Sequence, residues 1–321
     1  MLEVLTTGTP NTVQDGGRPG FLDAGVSLGG AMDRAALAIA NALAGNPADA
    51  AVVEIALFPF RARFLGDMRF ATAGALCPAW LDEVPLPPWW TALARAGQVL
   101  RIEPPTVGAR AYLAVAGGVD VPPVLGSRST DLKGGFGGFE GRGLKRGDRL
   151  PIGAAAKPFR LAEFGVAPPW IGAAESGTPR VMLRVLPAAE HECFAAESRQ
   201  VFLGAEWTVS READRQGVRL DGPTLKLGAP LQLFSHGIVS GTVQVPADGR
   251  PIIQLADANT AGGYPKIATV IEADLWKLGQ ARPGAKLGFR LVDRGQAVAA
   301  WRALRADVAA TTDKVRRAQG L

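Results

Sequence analysis

A short turn pattern recurs four times along the chain and constrains its fold more than any other feature. In each copy a glycine supplies a tight turn, and a leucine three residues later opens an apolar stretch. The copies are Arg95–Leu100, Lys145–Leu150, Lys226–Leu231 and Arg282–Leu287. Short strands joined by glycine turns are typical of β-barrels and β-sandwiches. The sequence therefore predicts a mainly β fold with a few helices.

Two copies of the pattern fall in each half of the chain, which favours two barrel-like halves. A weaker echo between Thr12–Gln14 and Thr242–Gln244 hints at the same division without establishing a duplication. With 321 residues, 47% of them hydrophobic, the chain is long enough for two domains with full cores. We expect a β-rich N-terminal half over 1–160 and a barrel half over 175–321 that ends in a helix. The Ala-, Pro- and Gly-rich stretch Ala154–Pro179 is the predicted linker.

Helix signals are few and mostly local. Asp33 can cap a helix that runs to Ala44 and stops at Gly45. Asn46-Pro-Ala-Asp49 has a capping residue followed by proline, which predicts a second, short helix start. Asp274 can cap a turn through Leu278. Apolar residues at helical spacing predict a terminal helix over about 296–317.

Composition excludes several classes of function. The net charge is +5, and the basic residues near the C-terminus alternate with acids, as on a solvated helix face, so we expect no nucleic-acid partner. The sequence has no long uncharged apolar run that could span a membrane, and its N-terminus lacks the features of a signal peptide. We therefore expect a cytoplasmic protein. Cys77 and Cys193 alone cannot form a structural zinc site. We expect both to be small buried residues and predict no metal site.

The segment from Gly241 to Ile267 carries the strongest functional signal. An apolar strand, Pro251–Ala256, lies there between two loops crowded with small and polar residues. A surface hairpin needs only one or two turn residues, so this density favours a binding rim on a rigid scaffold. The candidate rim residues are Gln244, Thr260, Gly262, Gly263, Tyr264 and Lys266.

Pairs of aspartate and arginine recur beside glycine-rich loops. An aspartate can position or deprotonate a substrate while a guanidinium binds an anionic group. For any one pair, helix capping and surface ion pairing are the simpler explanation, but several such pairs favour a site. The clusters are Gln14, Asp15 and Arg18; Asp33 and Arg34; Arg128, Ser129, Thr130 and Asp131; and Asp214 and Arg215. Glu54, between apolar neighbours, is either a functional acid or a paired strand residue, and the latter is favoured.

Standard nucleotide and hydrolase signatures are weak or missing. The sequence has no P-loop, and the glycine-rich run Gly134–Gly141 does not fit the dinucleotide pattern. That run is either a backbone segment able to approach a ligand or a mobile hairpin. Gly25–Gly29 matches the short nucleophile-elbow pattern, but a glycine turn ahead of the Asp33 helix is the better interpretation.

Five blocks of sequence carry a family resemblance over nearly the whole chain, from Val4 to about Val292. They are Thr12–Gly20, Gly30–Arg34, Gly126–Asp131, Gly134–Gly141 and Gly262–Ile267. Together they resemble the family of the 5-oxoprolinase C subunit. The same family is called the KipI antagonist, allophanate hydrolase subunit 2 or biotin-dependent carboxyltransferase A/B-subdomain family.

The resemblance implies cyclophilin-like β-barrel architecture and work in a complex. The implied partners are a KipI-like B subunit and a lactam-utilisation A subunit, which together with this chain cleave 5-oxoproline to glutamate with ATP. The resemblance thus implies an ATP-hydrolysing amidase component that is active only with its partners, on a small-molecule substrate. ATP is the expected cofactor, bound with the partner subunits.

Opening a lactam in this way requires stabilised negative charge and acid–base groups, which assigns roles to the polar clusters. The predicted catalytic residues are Asp33, Arg34, Arg128, Asp131, Asp214 and Lys266. The predicted substrate-binding residues are Gln14, Asp15, Arg18, Ser129, Thr130, Arg215, Gln244, Thr260, Gly262, Gly263 and Tyr264. We expect these distant stretches to converge on one ligand-lined cleft.

Two other functions fit the same resemblance. The chain can be the carboxyltransferase component of a urea carboxylase-type enzyme, with biotin supplied by another protein because the chain has no Met-Lys-Met carrier segment. It can also be a non-catalytic protein that binds a KipI-like partner. Departures from the expected family pattern, notably His236 in place of an acidic residue and Asn259 on the rim, leave the substrate open.

Overall fold

The computed structural model describes residues 1–8, 11–155, 163–167 and 180–320. The chain divides into two units. The first unit comprises Met1–Arg18, Gly29–Ser176 and Ala306–Leu321, and the second comprises Pro19–Leu28 and Gly177–Arg305. Of the candidate linker Ala154–Pro179, residues 156–162 and 168–179 lie outside the described part of the chain. The predicted domain limits stay a prediction.

The first unit is built from two six-stranded sheets and one helix. Its strands are β1 Leu2–Thr6, β2 Thr12–Gln14, β3 Val52–Ile55, β4 Phe60–Phe64, β5 Met68–Leu76, β6 Ala79–Leu81, β7 Val84–Leu86, β8 Trp90–Ala94, β9 Val99–Ile102, β10 Val107–Val115, β11 Arg149–Leu150 and β12 Phe164–Gly165. The strand orders are β11-β1-β4-β9-β6-β7 and β12-β8-β5-β10-β3-β2.

The alternation of side chains along the strands divides the first unit into two hydrophobic layers. Leu2 and Phe60 of one sheet form a single buried cluster with Val53 and Leu113 of the other, so the sheets pack face to face. Their neighbours on the opposite face of the second sheet, such as Tyr112, pack against helix α1 (Arg34–Ala44).

The second unit contains a closed barrel of seven strands. The strands of the second unit are β13 Val181–Pro187, β14 Trp207–Val209, β15 Gly217–Asp221, β16 His236–Gly237, β17 Thr242–Gln244, β18 Ile252–Gln254, β19 Ala261–Gly262, β20 Lys266–Val270 and β21 Lys286–Leu291. The barrel order is β13-β20-β17-β18-β15-β14-β21, closed by the parallel pair β13 and β21, while β16 and β19 form a separate two-stranded ribbon. The prediction of a mainly β chain with barrel architecture is confirmed.

Three further helices complete the described elements: α2 Ala196–Gly204, α3 Leu275–Gln280 and α4 Arg294–Gln319. Short 3₁₀ segments lie at His191–Cys193 and Glu272–Asp274. In the second unit, Phe202 of α2 stacks on Phe289 of β21 with ring centroids 4.2 Å apart. Within the described residues, no helix combines the length and the apolar character that crossing a membrane requires.

Three of the four predicted turns have the same hydrogen-bonding pattern. Gly97, Gly147 and Gly284 have φ values of 91°, 91° and 87°, a region that favours glycine. The N–H of each glycine, and the carbonyl of the residue after it, pair with one residue of a neighbouring strand, which is Phe64, Val4 or Val209 respectively. The fourth prediction is wrong, because no strand forms at Leu231 and Gly228 lacks a positive φ.

The helix predictions succeed where the signal is local. Helix α1 has the predicted ends, with the Asp33 carboxylate capping the Ala36 N–H at 2.9 Å and Gly45 in the left-handed conformation. The terminal helix is also confirmed. The prediction of a helix at Asn46 is wrong: the segment makes a single turn, and the Asn46 side chain donates to the Val115 carbonyl instead.

Two smaller predictions are also corrected. Asp274 precedes helix α3 but does not cap it, because its carboxylate binds Arg184 and Lys277. The cysteines are not both buried: Cys77 is half-buried and Cys193 is exposed.

Candidate functional site

The second unit contains a polar cluster centred on Lys266. Lys266 begins β20 and lies directly opposite Gln244 of β17 in the antiparallel register. Directly opposed residues project from the same face of a sheet, so the two side chains are neighbours. Each residue is only 4% exposed. The barrel therefore places a lysine and an amide side by side in a buried position.

The Lys266 ammonium makes three contacts with groups that are not carboxylates. Its Nζ lies 2.6 Å from His236 Nε2, 3.0 Å from the Gly262 carbonyl oxygen and 3.3 Å from the Tyr264 carbonyl oxygen. When the ammonium donates to Nε2, the imidazole proton resides on Nδ1. His236 and Gly262 face each other in the β16–β19 ribbon. Through these two residues, Lys266 contacts both strands of the ribbon from the barrel.

Glu190 is the carboxylate of this cluster. Its Oε1 lies 3.3 Å from His236 Nε2, and its Oε2 accepts a hydrogen bond of 3.0 Å from the Lys266 backbone N–H. Within the described residues, no carboxylate oxygen lies within 4 Å of Lys266 Nζ. Burial lowers the pKa of Lys266, and the charge of Glu190 opposes this shift. The lysine is therefore a better proton donor than an exposed lysine.

The Gln244 amide is only half satisfied. Its Oε1 accepts a hydrogen bond of 3.0 Å from Gln254 Nε2, but its own buried Nε2 has no acceptor among the described residues. Gly262 lies directly over this amide. A Cβ at Gly262 would come within 2.7 Å of Gln244 Nε2 and 2.6 Å of Ile238 Cδ1, so a larger residue there requires the ends of both side chains to move.

The remaining rim residues lie around the β16–β19 ribbon. The Thr260 carbonyl accepts a hydrogen bond from the Ile238 N–H at 2.8 Å. Gly263 lies beside Ser235, and Tyr264 is exposed. Tyr264 lies two residues after β19 and Phe234 two residues before β16, which is the same end of this antiparallel ribbon, and the Phe234 side chain is 96% exposed. Two exposed aromatic rings therefore lie at the end of the ribbon.

In the first unit, the Asp15 carboxylate joins two loops. It accepts hydrogen bonds from the Ser127 and Ser129 hydroxyls, each at 2.6 Å, and from the backbone N–H groups of Gly17 and Arg128. Arg18 is buried, donates to the Ser129 carbonyl and lies over the Phe136 ring at 4.9 Å. These contacts give the Asp15–Arg18 block a structural role, and its predicted substrate-binding role stays a prediction.

The glycine-rich run packs against the same loop. A Cβ at Gly137 or Gly138 would overlap the Ser129 carbonyl or the Thr130 side chain, and both glycines have positive φ. Asp131 accepts a hydrogen bond from the Gly134 N–H at 2.8 Å. The glycines are thus required by close approach to the protein's own backbone.

The residues around Asp33 form a second buried network in the first unit. The Tyr112 hydroxyl donates to Glu54 Oε2 at 2.9 Å and accepts from the Asp33 N–H at 2.8 Å. Burial raises the pKa of Tyr112 well above its usual value, and the charges of Glu54 and Asp33 add to the shift. Glu54 also accepts from the Met32 N–H, which is the paired strand role that the sequence favoured. Arg34, the next residue after Asp33, is exposed.

The other predicted residues lie in separate local structures. Arg128 donates to the Val121 carbonyl and pairs with exposed Asp120. The Gln14 amide donates to the Thr130 carbonyl at 3.2 Å. In the second unit, the exposed Asp214 carboxylate accepts a hydrogen bond from a backbone N–H of its own turn. Arg215 forms a buried two-point ion pair with Asp257.

The structure thus brings together Gln244, Gly262, Tyr264 and Lys266. It separately brings together the residues from Gln14 to Asp131 in the first unit. Since Lys266 belongs to the second unit, the predicted single cleft stays a prediction. Ser27 lies in an irregular segment that follows turns at residues 22–25, and no strand leads directly into it, so the nucleophile elbow is absent from this segment.

The chain matches the carboxyltransferase domain family, subdomains A and B, over residues 24–291. It belongs to this family. The chain is 45% identical to the 5-oxoprolinase C subunit of Escherichia coli over 90% of both chains. It is 37% identical to a putative urea carboxylase of Emericella nidulans, covering 90% of this chain but 24% of that protein.

A structural likeness agrees with this assignment. The crystal structure of the K. lactis urea amidolyase superposes with a TM-score of 0.87 at 29% identity, covering 97% of this chain and 20% of that one. The carboxyltransferase fold found here therefore also occurs as a small part of much longer enzymes.

Sequence reasoning missed three residues of the Lys266 cluster: Glu190, His236 and Gln254. His236 gave a usable signal, because a histidine stands there in place of an expected acid. Glu190 gave none, since it lies 76 residues before Lys266 and precedes a short 3₁₀ segment. Within the described residues, no group of three or more side chains is arranged to hold a metal ion.

Proposed function

We propose that this chain is the C subunit of an ATP-dependent 5-oxoprolinase. In this complex it cleaves 5-oxoproline to glutamate together with a KipI-like B subunit and a lactam-utilisation A subunit, in the cytoplasm. The proposal is carried by the 45% identity to a 5-oxoprolinase C subunit over 90% of both chains, which leaves little of either protein unmatched.

The chemistry requires activation of the ring amide, because an amide is a poor electrophile. ATP supplies this by phosphorylating the carbonyl oxygen. One water then attacks the carbonyl carbon, the carbon–nitrogen bond breaks and the nitrogen takes a proton, while the phosphoryl group passes to a second water. Positive charge near the oxygen and a nearby proton donor both lower the barrier. ATP binds with the partner subunits in this proposal, since the sequence has no P-loop.

Lys266 is the residue of this chain that best fits these needs. It is a buried cation with a lowered pKa in direct contact with an imidazole. Such a lysine can hold an anionic group of the substrate, and the Lys266–His236 pair can transfer a proton. Glu190 Oε1 lies 3.3 Å from the same Nε2 atom, so its negative charge stabilises the positive charge that the pair shares.

Reconstitution tests the proposal. The three subunits are mixed with 5-oxoproline, and glutamate release is measured with and without ATP, leaving out each protein in turn. We expect release only when ATP and all three subunits are present. Lys266→Met should abolish it, whereas the matched variant Lys286→Met, at a half-exposed lysine paired with Glu206, should retain it. Full activity without this chain would refute the proposal.

The family assignment favours one second candidate, a carboxyltransferase component that moves a carboxyl group from carboxybiotin to urea. The match to a putative urea carboxylase and the TM-score of 0.87 to a urea amidolyase support it. Biotin would then come from another protein. The test is carboxylation of urea by this chain with a biotinylated carrier and a biotin carboxylase. Activity there, without ATP-dependent release of glutamate from 5-oxoproline, would favour this candidate over the first.

A further inference from the structure

Among the described residues, the Lys266 cluster contains a buried ammonium without a carboxylate beside it and a buried amide N–H without an acceptor. A buried ammonium is stable when a carboxylate lies beside it, yet Lys266 Nζ has only two carbonyls and an imidazole. A buried N–H without an acceptor is also costly, and Gln244 Nε2 is such a group among the described residues. Two unfavourable features on opposed residues of the same strand pair are better explained by a ligand than by folding.

We propose that Lys266 and Gln244 form a binding site for the carboxylate of a small ligand. One carboxylate oxygen accepts a hydrogen bond from Gln244 Nε2, and the other accepts from the Lys266 ammonium in place of the Gly262 and Tyr264 carbonyls. A carboxylate supplies the negative charge that is missing beside Lys266 and the acceptor that is missing at Gln244 Nε2. The inference deepens the proposed function and rests on it only for the ligand, which is then 5-oxoproline held by its carboxylate.

The charges around the site are compatible with an anionic ligand. Glu190 is the nearby carboxylate: its Oε2 already accepts from the Lys266 backbone N–H, and its Oε1 lies 3.3 Å from His236 Nε2. The ligand therefore does not have to displace a carboxylate from the ammonium. Glu190 also stays beside the imidazole when the lysine turns toward the ligand.

Access to the site depends on the β16–β19 ribbon. Gly262 covers Gln244 Nε2 so closely that a Cβ would collide with it. The ligand therefore enters when the Gly262 side of the ribbon lifts from the barrel. Gly262→Ala should push the Gln244 amide aside and weaken binding without changing any charge.

Binding is measured by calorimetry and by thermal shift on the full chain and again on the reconstituted complex. The ligands are 5-oxoproline, 2-pyrrolidinone, which is the same ring without the carboxylate, and inorganic phosphate. We expect 5-oxoproline to bind and raise the melting temperature and 2-pyrrolidinone to have no effect. Equal binding of the two lactams, or binding of phosphate but not of 5-oxoproline, would overturn the proposal.

Substitutions then locate the site. Lys266→Met should weaken 5-oxoproline binding about 100-fold and Gln244→Leu about 10-fold, as expected for a charge-assisted and a neutral hydrogen bond. Lys286→Met is the matched control and should bind as wild type. Circular dichroism shows whether each variant folds, and Lys266→Arg, which keeps the charge, should recover part of the affinity. Wild-type affinity in folded Lys266→Met would refute the site.

The two proposals fail separately. If 5-oxoproline binds in a Lys266-dependent way but the complex releases no glutamate with ATP, the carboxylate site stands and the proposed function fails. If the wild-type complex turns over and the Lys266→Met complex keeps both its rate and its KM, the proposed function stands and the carboxylate site fails.

Discussion

The Asp15 carboxylate accepts hydrogen bonds from two serine hydroxyls and two backbone N–H groups. The Asp15 N–H and carbonyl are also used, by the Ser129 hydroxyl and the Ala31 N–H. One residue thus joins the loop around Ser129, through its side chain, to the loop before helix α1, through its backbone carbonyl. At the scale of a residue, Asp15 lies close to Arg18 in sequence, yet its hydrogen bonds connect segments of the protein's own chain.

Asp15→Asn should therefore destabilise the chain strongly. The amide loses the charge and brings an NH₂ group against existing donors, which costs about 2–4 kcal/mol. The measurement is urea unfolding at pH 7. Asp120→Asn, at an exposed carboxylate that pairs with Arg128, is the control and should unfold like wild type. A variant of Asp15 that is as stable as wild type but inactive in the complex would instead support the predicted substrate-binding role.

At the scale of an element, one type of turn lies at the end of three different strand pairs. In each, the glycine N–H and the next residue's carbonyl bond to the same residue of the neighbouring strand. No heavy atom lies within 4 Å of an added Cβ at Gly97, Gly147 or Gly284. Glycine is therefore required at these turns by φ and not by space.

Replacing each of these glycines by alanine tests that distinction. A positive φ with a Cβ should cost about 1–2 kcal/mol at each position without disturbing any neighbour. Gly228→Ala is the matched control from the same sequence pattern, and it should be as stable as wild type or slightly more stable because its φ is not positive. Urea unfolding of the four variants gives the comparison. Equal losses at all four glycines would contradict the argument.

Asp274 links β13 to helix α3 and predicts a dependence of stability on pH. Burial would raise the pKa of Asp274, but hydrogen bonds from Arg184 and Lys277 outweigh it and lower the pKa below its ordinary value of 3.8. A lowered folded pKa gives stability that is complete above about pH 3.8 and is lost as the pH falls through the folded value.

Asp274→Asn should thus cost about 2–3 kcal/mol at pH 7, and the difference from wild type should shrink in acid. Urea unfolding between neutral and strongly acidic pH measures both curves. Asp248→Asn, at an exposed residue of the same unit, should follow the wild-type curve throughout. A gap for Asp274→Asn that is constant with pH would show that the interaction is not ionic.

At the scale of the whole molecule, the sequence predicted what short-range signals determine. Asp33 and Gly45 mark both ends of α1, and glycine spacing marks three turns, because each signal acts within a few residues. The Lys266 cluster depends instead on strand register. The antiparallel pairing of β17 with β20 opposes Gln244 to Lys266, and contacts distant in sequence bring Glu190 to both His236 and Lys266. A single sequence carries no local signal for such contacts. The rim residues were therefore predicted, but their contacts with Glu190, His236 and Gln254 were not.

Helix α4 shows how the C-terminal end of the chain is used. Its last part, from Ala306, belongs to the first unit, where Val315 joins the hydrophobic cluster under helix α1. The Gln319 amide donates to the Ala42 and Leu43 carbonyls at 3.1 and 3.0 Å. These are carbonyls of the last turn of α1, and that of Ala42 also accepts from the Gly45 N–H of the helix cap. A residue distant in sequence thus completes the helix that Asp33 begins.

Val315→Ser should consequently weaken the first unit. Removing buried methyl groups and adding a buried hydroxyl costs about 2–3 kcal/mol. Hydrogen exchange followed by mass spectrometry should show faster exchange in α1 and β10, with the barrel strands of the second unit unchanged. Val298→Ser, at a partly exposed valine of the same helix, is the control and should exchange like wild type. Equal acceleration in the barrel strands would mean that α4 stabilises the chain as one cooperative body, because the loss of one buried contact would then be felt in both units.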